Sequence, residues 1–380
     1  MSMPKKLNLD IYVPEHIREL SAIFKENGKN LYIIGGYVRD SLMGLKPKDI
    51  DLCTDSLPDE TLAFLGDRYK VDLVGKSFGV VILKMEDDDI EIASFRVDGK
   101  GRKPTVELGV TIEDDVQRRD LTISAIYFDI EQNKVVDHVC GLKDMANGLI
   151  KMVGDPYERI DEDPLRILRV IRYATRYDFE IDPATEDAVK KSELTGISRE
   201  RIVGEMKKAF DESIRFRDYL ALIHKLGLWS EVLPKMKINE KFVEIDGPLV
   251  LYFAHMLMNN DTKKFTNFLK KKYRYSLEFT DTLRFLIDML EFDLERSAVT
   301  KFKKEMKRIK LEEELAKKWI DFLIENSYID QETYDILVNL IRYKLKINGN
   351  DVMDDGFSGR DLGKEIERRE KDSFKNFIGL

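Results

Sequence analysis

Leu31-Tyr32-Ile33-Ile34-Gly35-Gly36-Tyr37-Val38-Arg39-Asp40, followed by Lys48-Asp49-Ile50-Asp51-Leu52, is the stretch whose reading decides the fold. The apolar run Leu31 to Ile34 reads as a buried strand, and after the two glycines Tyr37 to Met43 opens a helix that Gly44 ends. Glycines between a strand and a helix let the backbone approach a ligand, and the free amides of a helix start attract phosphate. A second strand is expected to carry Asp49 and Asp51; residues two apart on a strand share a face. Two adjacent carboxylates repel each other unless a cation sits between them, and hard oxygen ligands suit Mg²⁺. A phosphate cradle beside such a pair is suited to phosphoryl or nucleotidyl transfer, where metals align the attacking and leaving oxygens.

Taken singly, each signal has a plainer reading: the Gly-Gly pair as an ordinary tight turn, the Asp-x-Asp as a solvated turn or cap. Together, with Arg39-Asp40 between them, they resemble the nucleotidyltransferase superfamily of DNA polymerase beta. More narrowly, Gly-Gly-x-Val-Arg-Asp followed by Asp-x-Asp resembles the class II CCA-adding enzymes (tRNA nucleotidyltransferases) and the bacterial poly(A) polymerases. The resemblance implies an α+β chain: a polymerase-beta-like head, a mixed sheet with helices, then an all-helical neck, body and tail. Placed on this sequence, those are a catalytic head at 1–147, a base-recognising neck at 148–212, a body at 213–290 and a tRNA-binding tail at 291–380.

The chain has 380 residues, 43% of them hydrophobic, enough for two or three domains with real cores. Its net charge of −8 means that a nucleic-acid partner needs a local basic patch. Cys53 and Cys140 lack metal spacing, so a reducing compartment is expected rather than a disulfide scaffold. No apolar run is long enough to span a membrane, and Met1 to Asp10 shows no signal-peptide core. A soluble, cytoplasmic protein is expected. His16, His138, His224 and His255 are scattered and suggest neither a phosphohydrolase domain nor a zinc site.

Within the head, Pro14 to Asn27 reads as a helix capped by Gly28, and Pro58 starts another that runs to about Leu65. Val71 to Val74, Val80 to Met85 and Ile90 to Val97 read as strands, the last two paired across the acidic turn Asp87-Asp88-Asp89. Glu91, on the last of these, is the candidate third carboxylate that the superfamily resemblance implies; a solvated strand residue is the plainer alternative. Val74-Gly75-Lys76-Ser77-Phe78-Gly79-Val80 resembles the CCA-adding type, with a Gly, a short gap, then Phe-Gly. Asp98 to Pro104 is a flexible basic linker by composition, where the family carries a mobile loop. It is a few residues short of the usual pattern, and enzymes that add only CC have a reduced loop. In Gln117-Arg118-Arg119-Asp120-Leu121-Thr122-Ile123-Ser124-Ala125, arginines can neutralise triphosphate charge and Asp120 can accept from a ribose hydroxyl or orient an arginine. A charged helix start is the alternative. The stretch resembles the family's Arg-Arg-Asp-x-Thr-Ile-Asn-Ala, with Ser124 in place of Asn, which implies a lost local contact. Tyr127 to Asp137 reads as a hairpin, and Asp137 to Asp144 resembles the family's hinge.

In the neck, Glu162-Asp163-Pro164-Leu165-Arg166-Ile167-Leu168-Arg169-Val170-Ile171-Arg172-Tyr173 reads as a helix with Pro164 near its first position. Asp163, Arg166 and Arg169 then stack on one face, continued by Arg172. An N-cap and a solvated arginine stripe form the bland reading. The sharper one is that an Asp accepts from an exocyclic amine while an Arg donates to ring acceptors. Cytosine and adenine satisfy that pair; uracil and guanine oppose it. The stretch resembles the family's Glu-Asp-x-x-Arg motif, which implies a protein template read by Asp163 and Arg166, with Arg169 and Arg172 in nucleotide contacts. Ile197 to Glu205 resembles the family's last motif and reads as scaffolding, with Ser198 as N-cap.

Beyond about Asp211 the chain reads as successive helices. From Asp261 to Lys310 there are fourteen Lys and Arg against eight Asp and Glu, which reverses the overall balance. Lys270, Lys271, Lys272 and Arg274, with Tyr273 and Tyr275 among them, are the candidate RNA contacts. Ile347 to Met353 and Gly359 to Ile366 resemble the family's tail. The expected activity is template-independent addition of CCA to the 3′ end of tRNA from CTP and ATP. Asp49 and Asp51 would be catalytic and hold two Mg²⁺, while Gly35, Gly36, Arg39, Arg119 and Asp120 would bind phosphate and ribose. CC addition, poly(A) synthesis and a catalytically silent RNA-binding role stay open. No obligate protein partner is evident.

Overall fold

The computed structural model describes residues 6–85, 89–99, 106–212, 215–295 and 298–380. The chain divides into two compact units. One comprises Met1–Ile197 with Glu212–Ile214 and Leu226–Leu228; the other comprises Ser198–Asp211, Arg215–Lys225 and Trp229–Leu380.

The first unit is a mixed sheet with helices. Helix α1 (Glu15–Glu26) has Pro14 at its N-cap, Glu15 in its first turn and Lys25 in its last, which suits the macrodipole. It buries Ile17, Leu20, Ile23 and Phe24. Strand β1 (Leu31–Ile34) passes directly into α2 (Gly35–Leu42), so the two glycines are the first helical residues. There follow β2 (Asp51–Thr54), α3 (Pro58–Leu65), β3 (Lys70–Asp72), β4 (Val80–Lys84), β5 (Asp89–Ser94), β6 (Arg96–Asp98), β7 (Val106–Leu108), α4 (Ile112–Gln117), β8 (Ile126–Asp129) and β9 (Lys134–Asp137). Then come α5 (Gly141–Ala146), β10 (Leu149–Ile150), α6 (Pro156–Glu162), α7 (Arg166–Tyr177), β11 (Glu180–Ile181) and α8 (Pro183–Lys191).

The main sheet has seven strands in the order β3-β4-β5-β2-β1-β8-β9. Only β2 and β5 run parallel within it. One row of cross-strand partners positions the site: Tyr127 lies opposite Ile34, Ile34 opposite Asp51, Asp51 opposite Glu91, and Glu91 opposite Ile82. Directly opposed residues share a face. On that face Ile34, Cys53, Phe95, Val116, Ala125, Tyr127 and Val153 form a buried apolar cluster. The hinge resemblance falls on a tight corner. Asp137 accepts from the amides of Val139, Gly141 and Leu142, and a Cβ on Gly141 would stand 2.2 Å from the Thr122 carbonyl oxygen.

Several expected boundaries move. Asp49 precedes β2 instead of lying on it. The expected strand Ile90 to Val97 is two strands, broken at Phe95, whose amide bonds to the Thr54 carbonyl. Arg118 and Arg119 follow the end of α4 and do not start a helix. The neck helix begins at Arg166, two residues after the expected Pro164. Asp163 closes α6 in an extended conformation, because Pro164 has no amide to donate and biases the preceding residue away from helix. Only Arg166, Arg169 and Arg172 lie on α7. Asp87, Asp88 and most of the basic linker, residues 100–104, lie outside the described residues.

The second unit is all helical: α9 (Arg199–Glu212, whose last residue falls in the first unit), α10 (Phe216–Lys225), α11 (Trp229–Val232), α12 (Leu249–Leu257), α13 (Thr262–Tyr273), α14 (Leu277–Asp288), α15 (Val299–Arg308), α16 (Glu313–Glu325), α17 (Gln331–Arg342), α18 (Gly349–Asp354) and α19 (Gly359–Ile378). Trp319 is fully buried, and its indole donates to the Leu286 carbonyl at 2.7 Å. Glu370, also fully buried, accepts from the Tyr343 hydroxyl and from the amides of Lys346 and Ile347. No helix among the described residues is long and apolar enough to cross a membrane.

Candidate active site

The site starts at the β1–α2 junction. Gly35 has φ +68, a left-handed conformation that side chains resist, and a Cβ there would stand 3.4 Å from Asp51 Oδ2. Glycine therefore lets the start of α2 lie against the carboxylate. Asp51 is exposed, as are Asp49 and Glu91. The protein packed around Asp51 desolvates its carboxyl, and the charges of Glu91 and Asp49 add to this, so its pKa is raised; Arg119 and Arg39 oppose the shift. Among the described residues no group of three or more His, Cys, Asp or Glu stands close enough to hold a metal ion in this arrangement. The donor chemistry nevertheless fits a divalent cation: oxygens only, and a carboxyl pushed up by burial and then by its acidic neighbours, whose repulsion a cation would relieve.

Arg39 is buried. Its Nε donates to the Tyr177 hydroxyl at 2.6 Å and its Nη1 to Ser124 Oγ at 3.0 Å, while its Nη2 lies 3.7 Å from where a Cβ on Gly36 would stand. Ser124 thus accepts from an arginine 85 residues away in the chain. Asp40, also buried, receives the Tyr177 hydroxyl at 2.5 Å and Arg176 Nη2 at 2.7 Å.

Arg119 extends over the Tyr127 ring, 4.8 Å from its centre, and donates to the Tyr127 hydroxyl at 2.7 Å and to Asp115 Oδ2 at 2.8 Å. Asp115 is fully buried and is a residue that the sequence reading missed. Burial pushes its carboxyl up, but Arg119, Arg118 and the Tyr127 hydroxyl outweigh that and hold it below the usual range. Its signal was local: Asp115 stands three and four residues before the two arginines, the spacing of neighbours on a helix. Tyr177 was also missed, and its partners lie 137 and 138 residues away in the chain.

Asp120 meets Arg169 Nε at 2.5 Å. Burial raises the Asp120 carboxyl, and Arg169, the Leu121 amide and Arg166 together bring it below its ordinary value. Arg166 donates to the Arg118 carbonyl at 3.0 Å, the Arg159 carbonyl at 2.8 Å and Glu162 Oε2 at 2.8 Å, which fixes the plane of its guanidinium. Asp163 is half-buried, and its Oδ1 accepts from the Leu165 amide. Arg172 turns inward to Glu212 at 2.5 Å and lies 4.2 Å from the centre of the Tyr173 ring. The arginines of α7 are therefore not a solvated stripe: their side chains are 13%, 29% and 3% exposed at Arg166, Arg169 and Arg172.

The first unit thus brings together Gly35, Gly36, Arg39, Asp51, Glu91, Arg119, Asp120, Arg166 and Arg169 through the sheet row and the contacts just described. Lys270, Lys271, Lys272 and Arg274 belong to the second unit and are exposed. Tyr273 between them is buried, its hydroxyl bonded to the Val232 carbonyl, and Arg274 Nε pairs with Glu200 at 2.5 Å.

Residues 31–151 match the family described as the poly(A) polymerase head domain, and residues 178–239 match the one described as a probable RNA and SrmB-binding site of polymerase A. A CCA-adding enzyme of Bacillus licheniformis is 37% identical over 198 residues, 50% of this chain and 48% of that protein. Poly(A) polymerase I of Escherichia coli is 30% identical over 253 residues, 62% of this chain and 53% of that protein. The chain spans about half the length of the curated relatives it matches. Among solved structures, the Bacillus stearothermophilus CCA-adding enzyme in complex with CTP superposes with TM-score 0.71 at 21% identity, covering 95% of this chain and 92% of that one. The Thermotoga maritima CCA-adding enzyme complexed with tRNA gives 0.69 at 22% identity, covering 100% and 96%. This likeness shows that the chain has the fold of those enzymes.

Proposed function

We propose that this chain, whose residues 31–151 carry the poly(A) polymerase head domain, is a tRNA nucleotidyltransferase that adds C, C and A to an RNA 3′ end from CTP and ATP without a nucleic-acid template. The observation that carries this reading is the row Ile34–Asp51–Glu91, which puts two carboxylates beside a glycine turn open to phosphate. The RNA 3′-oxygen attacks the α-phosphorus of the nucleotide. A new phosphodiester P–O bond forms, the α–β phosphoanhydride bond breaks, pyrophosphate leaves with the bonding pair, and the hydroxyl proton goes to solvent. Asp49 and Asp51, with Glu91 as a further ligand, would hold two Mg²⁺ ions, whose chemistry is to lower the pKa of the attacking hydroxyl and stabilise the leaving pyrophosphate.

The amides of Gly35 and Gly36 bind the triphosphate, with Arg39 behind them and Arg119 across from them. Asp120 takes the ribose, with Arg169 holding its carboxylate. Asp163 accepts from the amine of cytosine or adenine while Arg166, held in plane, donates to the ring acceptors; uracil and guanine present the wrong groups to both. Arg172 supports α7 through Glu212. We assign 1–147 to a head, 148–212 to a neck, 213–290 to a body and 291–380 to a tail, with Lys270, Lys271, Lys272 and Arg274 on the RNA backbone and the cytoplasm as the setting. Relatives that are CCA-adding enzymes match at 35–38% identity and poly(A) polymerases at 30%, which favours CCA addition.

The test offers the protein tRNA transcripts ending before CCA, after C and after CC, each with CTP, ATP or both. Completion of all three to CCA is expected. A stop at CC would make it a CC-adding enzyme, a long A ladder a poly(A) polymerase, and no extension a silent binder.

A further inference from the structure

Helix α7 touches both ends of the site. Its first turns carry Arg166 and Arg169, which face Arg118 and Asp120. Its last turn carries Tyr173, Arg176 and Tyr177, which surround Arg39 and Asp40 on α2. The Arg39 guanidinium lies 4.5 Å from the centre of the Tyr173 ring and 5.5 Å from that of Tyr177, and these two rings stack within 7° of parallel. Arg176 bridges Asp40 to Glu212, which also holds Arg172. At the centre, the Tyr177 hydroxyl donates to Asp40 and accepts from Arg39.

A nucleoside triphosphate is a ruler: its phosphates and its base edge have to meet two sets of groups at one separation. Here α2 supplies the phosphate end and α7 the base end, so whatever locks α2 to α7 sets that separation. Arg39 cannot choose its own direction, because two of its nitrogens are taken by Tyr177 and Ser124, and the third is thereby aimed at Gly36. We infer that Tyr177 is a positioning residue: its hydroxyl, shared between Asp40 and Arg39, aims the Arg39 guanidinium at the Gly35–Gly36 turn and sets the spacing between the triphosphate and base-reading ends of the site. This rests on the nucleotidyltransferase reading above and deepens it.

The test uses the full chain and Tyr177→Phe, which keeps the ring and removes only the hydroxyl. Binding of CTP and of CMP is measured by calorimetry, alongside the KM for CTP and for tRNA in the extension assay. Misaiming of Arg39 once the hydroxyl is gone predicts about a tenfold weaker CTP affinity, about 1.4 kcal/mol, and a matching rise in KM for CTP. Binding of CMP, which lacks the β- and γ-phosphates, and the KM for tRNA stay within twofold. CTP affinity within twofold of the parent, or equal loss for CTP, CMP and tRNA, would overturn the positioning role. If Tyr177→Phe does not fold, Ser124→Ala, which removes the other bond to Arg39, is read by the same ratio with the same outcomes. Should the unmodified chain bind CTP but not extend RNA, the CCA-adding reading fails while the CTP-to-CMP ratio still decides this inference. Absence of CTP binding by the unmodified chain overturns both.

Discussion

Asp51 and Glu91 stand directly opposite each other on neighbouring parallel strands, β2 and β5, and the charge of Glu91 adds to burial in raising the Asp51 carboxyl. Both the proposed catalysis and a cost in stability follow from that pairing. A carboxyl whose folded pKa lies above its unfolded value of 3.8 destabilises the fold once it ionises. Asp51→Asn should therefore raise Tm at neutral pH in EDTA and leave it unchanged below that unfolded value. The same variant should lose most of its extension rate, because it removes an anionic oxygen proposed to hold the metal ions. Calorimetry with and without EDTA, beside the extension assay, checks both halves.

Asp115 shows the opposite linkage. Its folded pKa is depressed, so its contribution to stability is fully present above the unfolded value of 3.8 and is lost as pH falls through the folded one. Asp115→Asn should cost about 3 kcal/mol at pH 7, because two arginines lose a buried partner. Urea titrations from pH 7 downward should show the gap between parent and variant closing below about pH 4. A gap that stays constant would mean that Asp115 acts through shape alone.

Gly35 and Gly36 should differ on replacement by alanine. Gly35→Ala is strained at φ +68 and brings a methyl to 3.4 Å from Asp51 Oδ2. It should cost about 1–2 kcal/mol and most of the activity. Gly36 has no positive φ and its nearest neighbour would be the end of Arg39 at 3.7 Å, so Gly36→Ala should be milder in stability. Thermal melts of the two variants decide this.

Asp120 and Arg169 should be coupled in a double-mutant cycle. Arg169→Ala leaves a buried carboxylate short of its partner, while the pair Asp120→Asn/Arg169→Ala does not. A coupling energy of about 1–3 kcal/mol is expected in stability. A value near zero would mean that the contact is incidental.

Charge reversal at Lys270, Lys271 and Lys272 should weaken tRNA binding and leave CTP binding unchanged. The slope of log affinity against log salt should flatten by about 0.7–0.9 for each phosphate contact removed. An unchanged slope would make the basic run a solvated helix face.

Much of this was local and therefore readable. Leu31 to Ile34 is an apolar run of strand length, Gly28 caps α1, Pro58 opens α3, and Tyr127 to Asp137 is a hairpin, each bounded as its own residues dictate. The Gly-Gly turn and the acidic pair were legible for the same reason, although Asp49 falls just short of its strand. Asp163 was legible as a cap ahead of Pro164: it is extended and its Oδ1 accepts from the Leu165 amide, although the regular helix starts only at Arg166.

By itself the sequence determined many of the elements, though not all their boundaries, the glycine that α2 needs to start against a carboxylate, and the residue types the proposed chemistry requires, because those rest on backbone sterics and short-range spacing. Only the tertiary structure decided which charges face one another: Glu91 reaches Asp51 through strand register, Arg39 turns inward to Tyr177 and Ser124, and Arg169 closes on Asp120. Those partners are tens to more than a hundred residues apart, so strand register and helix packing, which no short stretch encodes, decide which polar groups meet, and a buried one such as Arg39 must then be paired where it lies.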